Sequence, residues 1–213
     1  LLDDLSPEAQ LIGAVNTVLN DNGKLIGYNT DGYGFMQSVR DAGHDITGKN
    51  ITVMGVGGAS MAICAQSALD GAASVHIFAR RTSRYWNRTQ KFAENLSAKT
   101  GCQVCLFDND DHTALRDSIA QSYLLINATS VGMVPDIDDT IIKDTSLFHP
   151  ELVVADVVYE PQETRLLREA KAAGCQTFNG MYMLLHQGAK AFQIWTGQEM
   201  PVSVIKEKYF SVK

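Results

Sequence analysis

The stretch Val53-Met54-Gly55-Val56-Gly57-Gly58-Ala59-Ser60 joins an apolar, strand-like run to a helical run. Residues 50–54 predict a short buried strand, and residues 60–70 predict a helix that Gly71 ends. A glycine-rich turn between a strand and a helix is typical of nucleotide-binding α/β proteins. The stretch therefore predicts both the fold class and the place where a nucleotide would bind.

Glycine lets the backbone turn tightly and approach a pyrophosphate, and the free N–H groups at a helix start attract anions. The turn thus predicts a dinucleotide phosphate site formed by Gly55, Gly57, Gly58 and Ala59. The pattern departs from G-x-G-x-x-G, since Ser60 stands in the place of the third glycine. A tight strand–helix connection without a ligand is the alternative interpretation.

From residue 50 onward, strand-like and helix-like runs alternate along the chain. The predicted runs, in chain order, are residues 50–54, 60–70, 74–79, 85–98, 102–107, 112–121, 124–127, 152–156, 164–173 and 175–178. Such alternation implies right-handed βαβ units and a parallel sheet covered on both faces. We therefore predict an α/β fold with a Rossmann-like, doubly wound parallel sheet and part of a smaller α/β substrate domain.

The two ends of the chain follow different patterns. Two β-prone runs, residues 15–19 and 24–28, flank a hairpin turn at residues 20–23, and a helix is predicted from Gly32 to Ala42. Apolar residues at helical spacing follow Met181, and residues 202–210 predict a short final helix. We predict three parts: residues 1–43 from a substrate-binding domain, residues 44–180 as the Rossmann domain, and residues 181–213 as helices that pack back onto the first part.

The composition excludes several classes of function. The chain has 213 residues, 45% of them hydrophobic, with a net charge of −6 and a pI near 5.3. An acidic chain is poorly suited to bind nucleic acid. No run of about 18 apolar residues predicts a membrane span, and no secretory leader is recognised, so a cytoplasmic location is expected. The sequence leaves the oligomeric state open, with a homodimer as one possibility.

The four cysteines do not predict a metal site. Cys102 and Cys105 form a C-x-x-C pair, but they lie in a strand-like run where residues three apart face opposite sides. Cys64 and Cys175 do not supply a second pair at zinc-ligand spacing. We therefore expect reduced, structural thiols and no bound metal.

The choice of nucleotide can be argued from charge. The second predicted strand of the Rossmann unit runs into Arg80, Arg81 and Arg84, and no Asp or Glu lies between Asp70 and Glu94. An acidic residue at this point would bind a ribose 2′-hydroxyl, whereas arginine accommodates a 2′-phosphate. The three arginines therefore favour NADP, with NAD as the alternative cofactor. A solvated basic loop without a ligand is the other interpretation.

Several ordered motifs carry a resemblance to a known family. They are Ala14-Val15-Asn16-Thr17, Tyr28-Asn29-Thr30-Asp31-Gly32, Asn127-Ala128-Thr129-Ser130-Val131-Gly132-Met133, Val158-Tyr159-Glu160-Pro161 and residues 179–189. In this order they resemble the shikimate dehydrogenase family, and most closely its quinate/shikimate dehydrogenase branch. The resemblance extends from about Leu11 to the end of the chain. It implies an enzyme that interconverts 3-dehydroshikimate and shikimate, or 3-dehydroquinate and quinate, with NADP or NAD.

The resemblance also implies roles for individual residues. Asp31 matches the family's catalytic aspartate, while neither Lys24 nor Lys190 matches the motif of its catalytic lysine. That motif is expected a few residues upstream of Leu1, so we expect the chain to be the C-terminal part of something longer. If the chain were complete, a catalytically silent nucleotide-binding module would be the alternative function.

Two further sets of residues follow from the same resemblance. The residues implied to hold the small-molecule substrate are Asn16, Asp31, Tyr159 and Gln187, and those implied to line the nicotinamide side are Thr129, Ser130, Gly180 and Met183. All but Gly180 have a plainer interpretation: Asp31 as an N-cap of the following helix, Tyr159 and Met183 as core residues, Thr129 and Ser130 as turn formers, and the amides as surface groups. His186 is expected to serve in packing or to face solvent.

Overall fold

The computed structural model describes residues 1–210, which form two sheets and the helices around them. The strands are β1 (Asp4–Leu5), β2 (Thr17–Asp21), β3 (Lys24–Tyr28), β4 (Asn50–Met54), β5 (Ser74–Ala79), β6 (Gln103–Asp108), β7 (Leu124–Asn127), β8 (Val153–Asp156) and β9 (Gln176–Phe178). The α-helices are α1 (Pro7–Ile12), α2 (Asp31–Asp41), α3 (Gly58–Leu69), α4 (Trp86–Thr100), α5 (His112–Gln121), α6 (Arg165–Ala172), α7 (Met181–Thr196) and α8 (Val202–Ile205), with one 3₁₀ turn at Thr145–Leu147.

The larger sheet has six parallel strands in the order β6-β5-β4-β7-β8-β9. Numbered within the sheet by chain order, this is 3-2-1-4-5-6, the Rossmann arrangement. The strand order reverses between β4 and β7, and ligands of such sheets bind at the carboxyl ends of the strands beside that reversal. The predicted fold class is confirmed, and the glycine turn after β4 lies at this point.

The sheet is buried on both faces, as a parallel sheet between helical layers should be. One face packs with α3 and α4 around Val53 and Ile77, and the other packs with α5 and α6 around Met54 and Phe78. Leu11, Ile12 and Phe35, from the first 43 residues, join the first of these two cores. None of the helices in residues 1–210 is long and apolar enough to span a membrane.

The smaller sheet has the order β1-β3-β2, and the β2–β3 hairpin differs from its prediction. The pairing continues to Asp21 opposite Lys24, so the turn consists of Asn22 and Gly23 alone, with φ of 52° and 97°. Two successive positive φ values suit a two-residue turn whose twist matches the strands. The predicted four-residue turn and the predicted end of the first strand at residue 19 were therefore wrong.

Two helical regions also differ from the prediction. No helix is predicted before residue 32, yet α1 begins after Ser6, whose hydroxyl accepts a hydrogen bond from the Ala9 N–H, and ends at Gly13 with φ 71°. This combination of a serine cap, Pro7 and a final glycine is a helix signal. At the other end, the predicted single helix is α-helical only in α8 and continues as wider π-type turns over Lys206–Phe210.

Candidate active site

The turn after β4 is shaped by Gly55 and Ser60. Gly55 has φ +110°, and a Cβ at this position would lie 2.8 Å from Thr129 Cγ2 and 2.9 Å from the Ala128 carbonyl oxygen. The Ser60 hydroxyl, completely buried, donates a 2.6 Å hydrogen bond to the Gly55 carbonyl. Gly55 thus allows the turn to pack on the loop after β7, and Ser60 closes the turn where the usual pattern has a third glycine.

The next two glycines leave the helix start open. Gly57 is the N-cap of α3, and no side chain caps the helix there. A Cβ at Gly57 or Gly58 would meet no other atom within 4 Å. The first turn of α3 contains no acidic residue, so its free N–H groups and the positive end of its dipole face open space. This arrangement suits an anion such as a pyrophosphate.

Two adjoining cavities form a cleft over the carboxyl ends of the strands. One has a volume of about 910 Å³ and extends from the glycine turn to the arginine loop. The other has a volume of about 630 Å³ and extends from the same turn to the loop after β8. The residues common to both are Gly57, Ala128, Thr129 and Ser130. Each volume lies in the range of small-molecule sites, and the shared wall lets one long ligand occupy both.

The three arginines after β5 have different surroundings. Arg80 lines the larger cavity, and its side chain makes no ion pair or hydrogen bond within residues 1–210. Arg84 also lines it, stacked over the Tyr85 ring with the guanidinium carbon 4.7 Å from the ring centroid. Arg81 packs instead over the Trp86 ring at 4.6 Å and does not line this cavity. Of the three arginines, Arg80 and Arg84 are therefore positioned in the cavity to contact a phosphate group.

The predicted substrate residues Asn16, Asp31 and Gln187 lie together, and Thr30 joins them. Asn16 Nδ2 donates to Asp31 Oδ1 over 2.9 Å and to Thr30 Oγ1 over 3.0 Å, while Asn16 Oδ1 accepts from the Thr30 N–H over 3.0 Å. The Thr30 hydroxyl donates to Gln187 Oε1 over 3.4 Å. Three separate parts of the chain thus supply one polar cluster, in which Asn16 is exposed to solvent.

The carboxylate of Asp31 is partly buried, and burial raises its pKa while the hydrogen bond from Asn16 opposes this rise. Its Oδ2 atom accepts no hydrogen bond from the part of the chain that the structure describes. The N-cap of α2 is Thr30, and Asp31 is the first helical residue. The plain interpretation of Asp31 as the N-cap was therefore wrong. The free carboxylate oxygen is available to accept a hydrogen bond from a hydroxyl group.

Two glycines in α2 place Asp31 beside the cleft. A Cβ at Gly32 would overlap the Ala62 carbonyl oxygen of α3, and a Cβ at Gly34 would lie 2.6 Å from the Gln187 nitrogen of α7. Helix α2 therefore contacts both neighbouring helices by close backbone approach. Since Ala62 is about one turn from the start of α3, this packing holds Asp31 near the nucleotide end of that helix.

We expect Gly34→Ala to lower the free energy of unfolding by about 1–3 kcal/mol, because overpacking a close contact forces the two helices apart. Gly188→Ala in α7 is the matched control, since a Cβ there meets nothing within 4 Å. Alanine in an open helix position should stabilise the protein by up to about 1 kcal/mol. Urea denaturation measures both variants, and equal effects of the same sign would contradict the packing role of Gly34.

The remaining predicted residues lie at different depths. Thr129 and Ser130 line both cavities, and Tyr159, 42% exposed, lines the smaller one. Met183 is buried in the core shared by α2 and α3. A Cβ at Gly180 would overlap the Val157 carbonyl oxygen, so this glycine brings the start of α7 against the loop after β8. Close backbone packing explains Gly180 without a ligand, and a nicotinamide contact at Gly180 or Met183 stays a prediction.

Three further basic residues, Lys24, Lys190 and His186, have partners outside the polar cluster. Lys24 forms a 2.8 Å ion pair with Asp4, and Lys190 lies over the Tyr33 ring and donates to Gln193. His186 is buried, with its Nε2 atom 3.0 Å from Asp41 Oδ2. None of the three lies in the polar cluster around Asp31. Within residues 1–210, no group of three or more His, Cys, Asp or Glu side chains is arranged to hold a metal ion.

Two features of the site escaped the sequence analysis. Thr30 hydrogen-bonds to both Asn16 and Gln187. Its position directly before Asp31 in the Asn-Thr-Asp-Gly motif was the sequence feature that could have indicated this role. Asn127 and Asp156 hydrogen-bond at the ends of neighbouring strands β7 and β8, a contact that only the strand order reveals. Asn127 lay within a quoted motif, but no sequence signal paired it with Asp156.

Comparison with known proteins identifies the relatives of this chain. The family model described as "Shikimate 5'-dehydrogenase C-terminal domain" matches residues 180–208. A Listeria innocua protein named "Shikimate dehydrogenase (NADP(+))" is 53% identical over 209 residues, which cover 98% of this chain and 72% of that protein. An Escherichia coli O139:H28 quinate/shikimate dehydrogenase is 42% identical over 206 residues, covering 97% of this chain and 71% of the relative.

A solved structure is similar as well. Shikimate 5-dehydrogenase from Listeria monocytogenes, crystallised with shikimate and NAD, superposes with a TM-score of 0.93 and 52% identity, covering 97% of this chain and 71% of that one. The strand order, the open glycine turn and the cleft are those of a Rossmann dinucleotide-binding protein, and the relatives named above are oxidoreductases. With relatives at this identity and coverage, the chain belongs to the shikimate dehydrogenase family.

Proposed function

We propose that the protein is an NADP-dependent oxidoreductase that interconverts 3-dehydroshikimate and shikimate, or 3-dehydroquinate and quinate. The observation that carries this proposal is the polar cluster of Asn16, Thr30, Asp31 and Gln187 beside the nucleotide end of α3. Hydroxyl and carboxylate groups on a small ring need such an array of donors and acceptors. Relatives named for both substrates support the same assignment.

The cleft fits a nicotinamide dinucleotide on its own geometry. The pyrophosphate belongs at the open N-terminus of α3, where Gly57 and Gly58 leave room for it. The adenosine end belongs in the larger cavity beside Arg80 and Arg84. The nicotinamide end belongs in the smaller cavity beside Thr129, and the walls of this cavity are mostly apolar. When bound, the cofactor accepts or returns a hydride equivalent at a ring carbon.

The residues of this chain orient the substrate and its proton. Asn16 fixes one oxygen of the Asp31 carboxylate, and the other oxygen is free to accept a hydrogen bond from the substrate hydroxyl. Thr30 donates to Gln187 Oε1, while Gln187 Nε2 donates to the Leu184 carbonyl, so the amide is held in one orientation. As an alcohol is oxidised, its proton must pass to a base within hydrogen-bond distance. By resemblance that base is a lysine, which Asp31 orients.

We propose that residues 1–43 belong to a substrate-binding domain, that residues 44–180 form the Rossmann domain, and that residues 181–213 pack back onto the first part. Helix α7 packs against α2, and Trp195 Nε1 donates a 2.9 Å hydrogen bond to the Val18 carbonyl of the hairpin. The closing helices therefore support the opening segment that carries Asn16 and Asp31, while the central part supports the nucleotide.

No observation favours the catalytically silent module, because the relatives named above are all dehydrogenases.

We expect Arg80→Ala, and more strongly the Arg80/Arg84 double change, to weaken NADP binding by about 1–3 kcal/mol, the range for hydrogen bonds to a charged group. NAD binding should hardly change, because only the 2′-phosphate of NADP needs these donors. Isothermal titration with both nucleotides measures the difference.

Arg88→Ala is the matched control for this test, since Arg88 is an exposed arginine that donates to the Gly13 carbonyl and does not line the cleft. It should leave both affinities unchanged. Equal losses of NADP and NAD in Arg80→Ala would assign the arginine loop a structural role only. A wild-type preference for NAD would contradict the charge argument itself.

A further inference from the structure

A buried carboxylate lies below the smaller cavity and touches neither the cavity nor the polar cluster. Asp156 ends β8 with none of its surface exposed, and within residues 1–210 no cation pairs with it. Its three hydrogen-bond donors are neutral groups, and burial raises the pKa of the carboxyl. Burying a carboxylate without a cation is costly, so the hydrogen bonds from these three donors have to offset that cost.

Each donor belongs to a different segment around the cleft. Asn127 Nδ2, from the end of β7, donates to Asp156 Oδ1 over 2.9 Å. The Val158 N–H, from the loop after β8, donates to the same oxygen over 3.0 Å, and the Thr164 hydroxyl, at the start of α6, donates to Oδ2 over 2.7 Å. One carboxylate is therefore hydrogen-bonded to the end of β7, to the loop after β8 and to the start of helix α6.

The first of these donors also sets the shape of its own loop. Asn127 Oδ1 accepts from the Thr129 hydroxyl over 2.6 Å and from the Thr129 N–H over 3.1 Å, and Asn127 Nδ2 also donates to the Val131 carbonyl over 3.1 Å. Two loops supply walls of the 630 Å³ cavity: Thr129 comes from the loop after β7, and Val158 and Tyr159 come from the loop after β8. The distance between the two walls thus depends on the Asn127–Asp156–Val158 connection.

We propose that Asp156 is a positioning residue that holds the two walls of the nicotinamide cavity at a fixed separation, so that the nicotinamide ring is presented to the substrate. This inference rests on the proposed function of the cleft. It predicts that loss of the connection affects the nicotinamide half of the cofactor and spares the adenosine half. The adenosine half lies in the larger cavity, between the glycine turn and Arg80.

Asp156→Ala, Asp156→Asn and Thr164→Val test the inference in the full-length protein. Asp156→Ala should lower kcat by about 10- to 100-fold, as small misplacements of a reacting group do, with little change in the KM for shikimate. Asp156→Asn should restore most of kcat, because an amide oxygen can still accept from Asn127 and Val158. A binding readout accompanies these rates: NADPH should lose affinity relative to 2′,5′-ADP, which contains only the adenosine half.

Thr164→Val keeps the side-chain volume and removes the donor to Asp156 Oδ2, which fixes the orientation in which Oδ1 accepts from Asn127 and Val158. It also removes the side-chain cap of α6, so its loss of stability is expected, and it decides the matter if Asp156→Ala fails to fold. Its matched control is Thr52→Val, because Thr52 is also fully buried and its hydroxyl lies 2.8 Å from Ser122 Oγ, away from the cleft. Both valine variants should lose stability, but only Thr164→Val should lower kcat and the NADPH to 2′,5′-ADP affinity ratio.

Two failures are distinguishable. If the two valine variants behave alike in kcat and in the affinity ratio, Asp156 has no positioning role and the proposed function stands. If the wild-type protein neither binds NADPH nor oxidises shikimate or quinate, the proposed function itself fails. An Asp156→Asn variant as impaired as a folded Asp156→Ala variant would also overturn the inference, because hydrogen bonding would then not explain the effect.

Discussion

Gly57→Val is expected to fold normally and to lose NADPH affinity by at least about 100-fold, which corresponds to nearly 3 kcal/mol of binding free energy. A Cβ at Gly57 meets no protein atom within 4 Å, so the folded protein has room for the new side chain. That room lies at the uncapped start of α3, where the pyrophosphate would approach the backbone. Isothermal titration with NADPH measures the affinity, and circular dichroism verifies the fold.

Gly188→Val is the matched control, because a Cβ there is equally free of contacts but belongs to α7. It should bind NADPH as the wild type does. Gly55 provides a contrast, since φ +110° and the nearby Thr129 make any side chain at that position strained. A folded Gly57→Val variant with normal NADPH affinity would show that the phosphate site lies elsewhere.

The second large effect is expected for Asp31→Asn in the full-length protein, meaning a protein that also contains the upstream segment expected to carry the lysine. We expect kcat/KM for shikimate or quinate to fall by about 10²- to 10⁴-fold, the usual contribution of a residue that acts in acid–base catalysis. The amide can still pair with Asn16, but it has no negative charge to accept the substrate hydrogen bond or to orient a lysine. NADPH affinity should stay within a few-fold of the wild-type value, since the phosphate site is formed by α3 and not by Asp31. Steady-state NADPH production is the measurement.

Asp41→Asn is the matched control, because Asp41 ends the same helix and pairs with His186 and Lys206 away from the Asp31 cluster. It should keep most of the activity. An Asp31→Asn variant with unchanged turnover would remove Asp31 from the catalytic machinery.

The acidic side of the pH profile gives an independent check on Asp31. Burial raises its pKa above the ordinary value of an aspartate carboxyl group. Because the charged form is the one that accepts hydrogen bonds, kcat/KM should fall as the pH drops through that raised pKa. The Asp31→Asn variant should lack this part of the decline. A wild-type profile whose acidic decline is unchanged in the variant would assign it to another group.

Local sequence signals determined the backbone of the nucleotide-binding part. The alternation of apolar strands and helices from residue 50 onward predicted each strand of the six-stranded sheet, with bounds that differ by no more than about one residue. Gly55 and Gly57 marked the turn between β4 and α3, because backbone conformation and the absence of a side chain are properties of the residue itself. The ordered motifs likewise predicted the family that the relatives confirm.

Tertiary structure decided which of the candidate residues meet. Gln187 joins Asn16 and Asp31 because Gly34 allows α2 to touch α7, a packing contact between residues more than 100 positions apart. The sequence did not distinguish Arg80 from Arg81, but Arg80 lines the cleft whereas Arg81 stacks on Trp86, since side-chain direction depends on the surrounding fold. Asp156 and Asn127 are neighbours only because β7 and β8 pair in the sheet, and strand order is a long-range property that local sequence patterns do not encode.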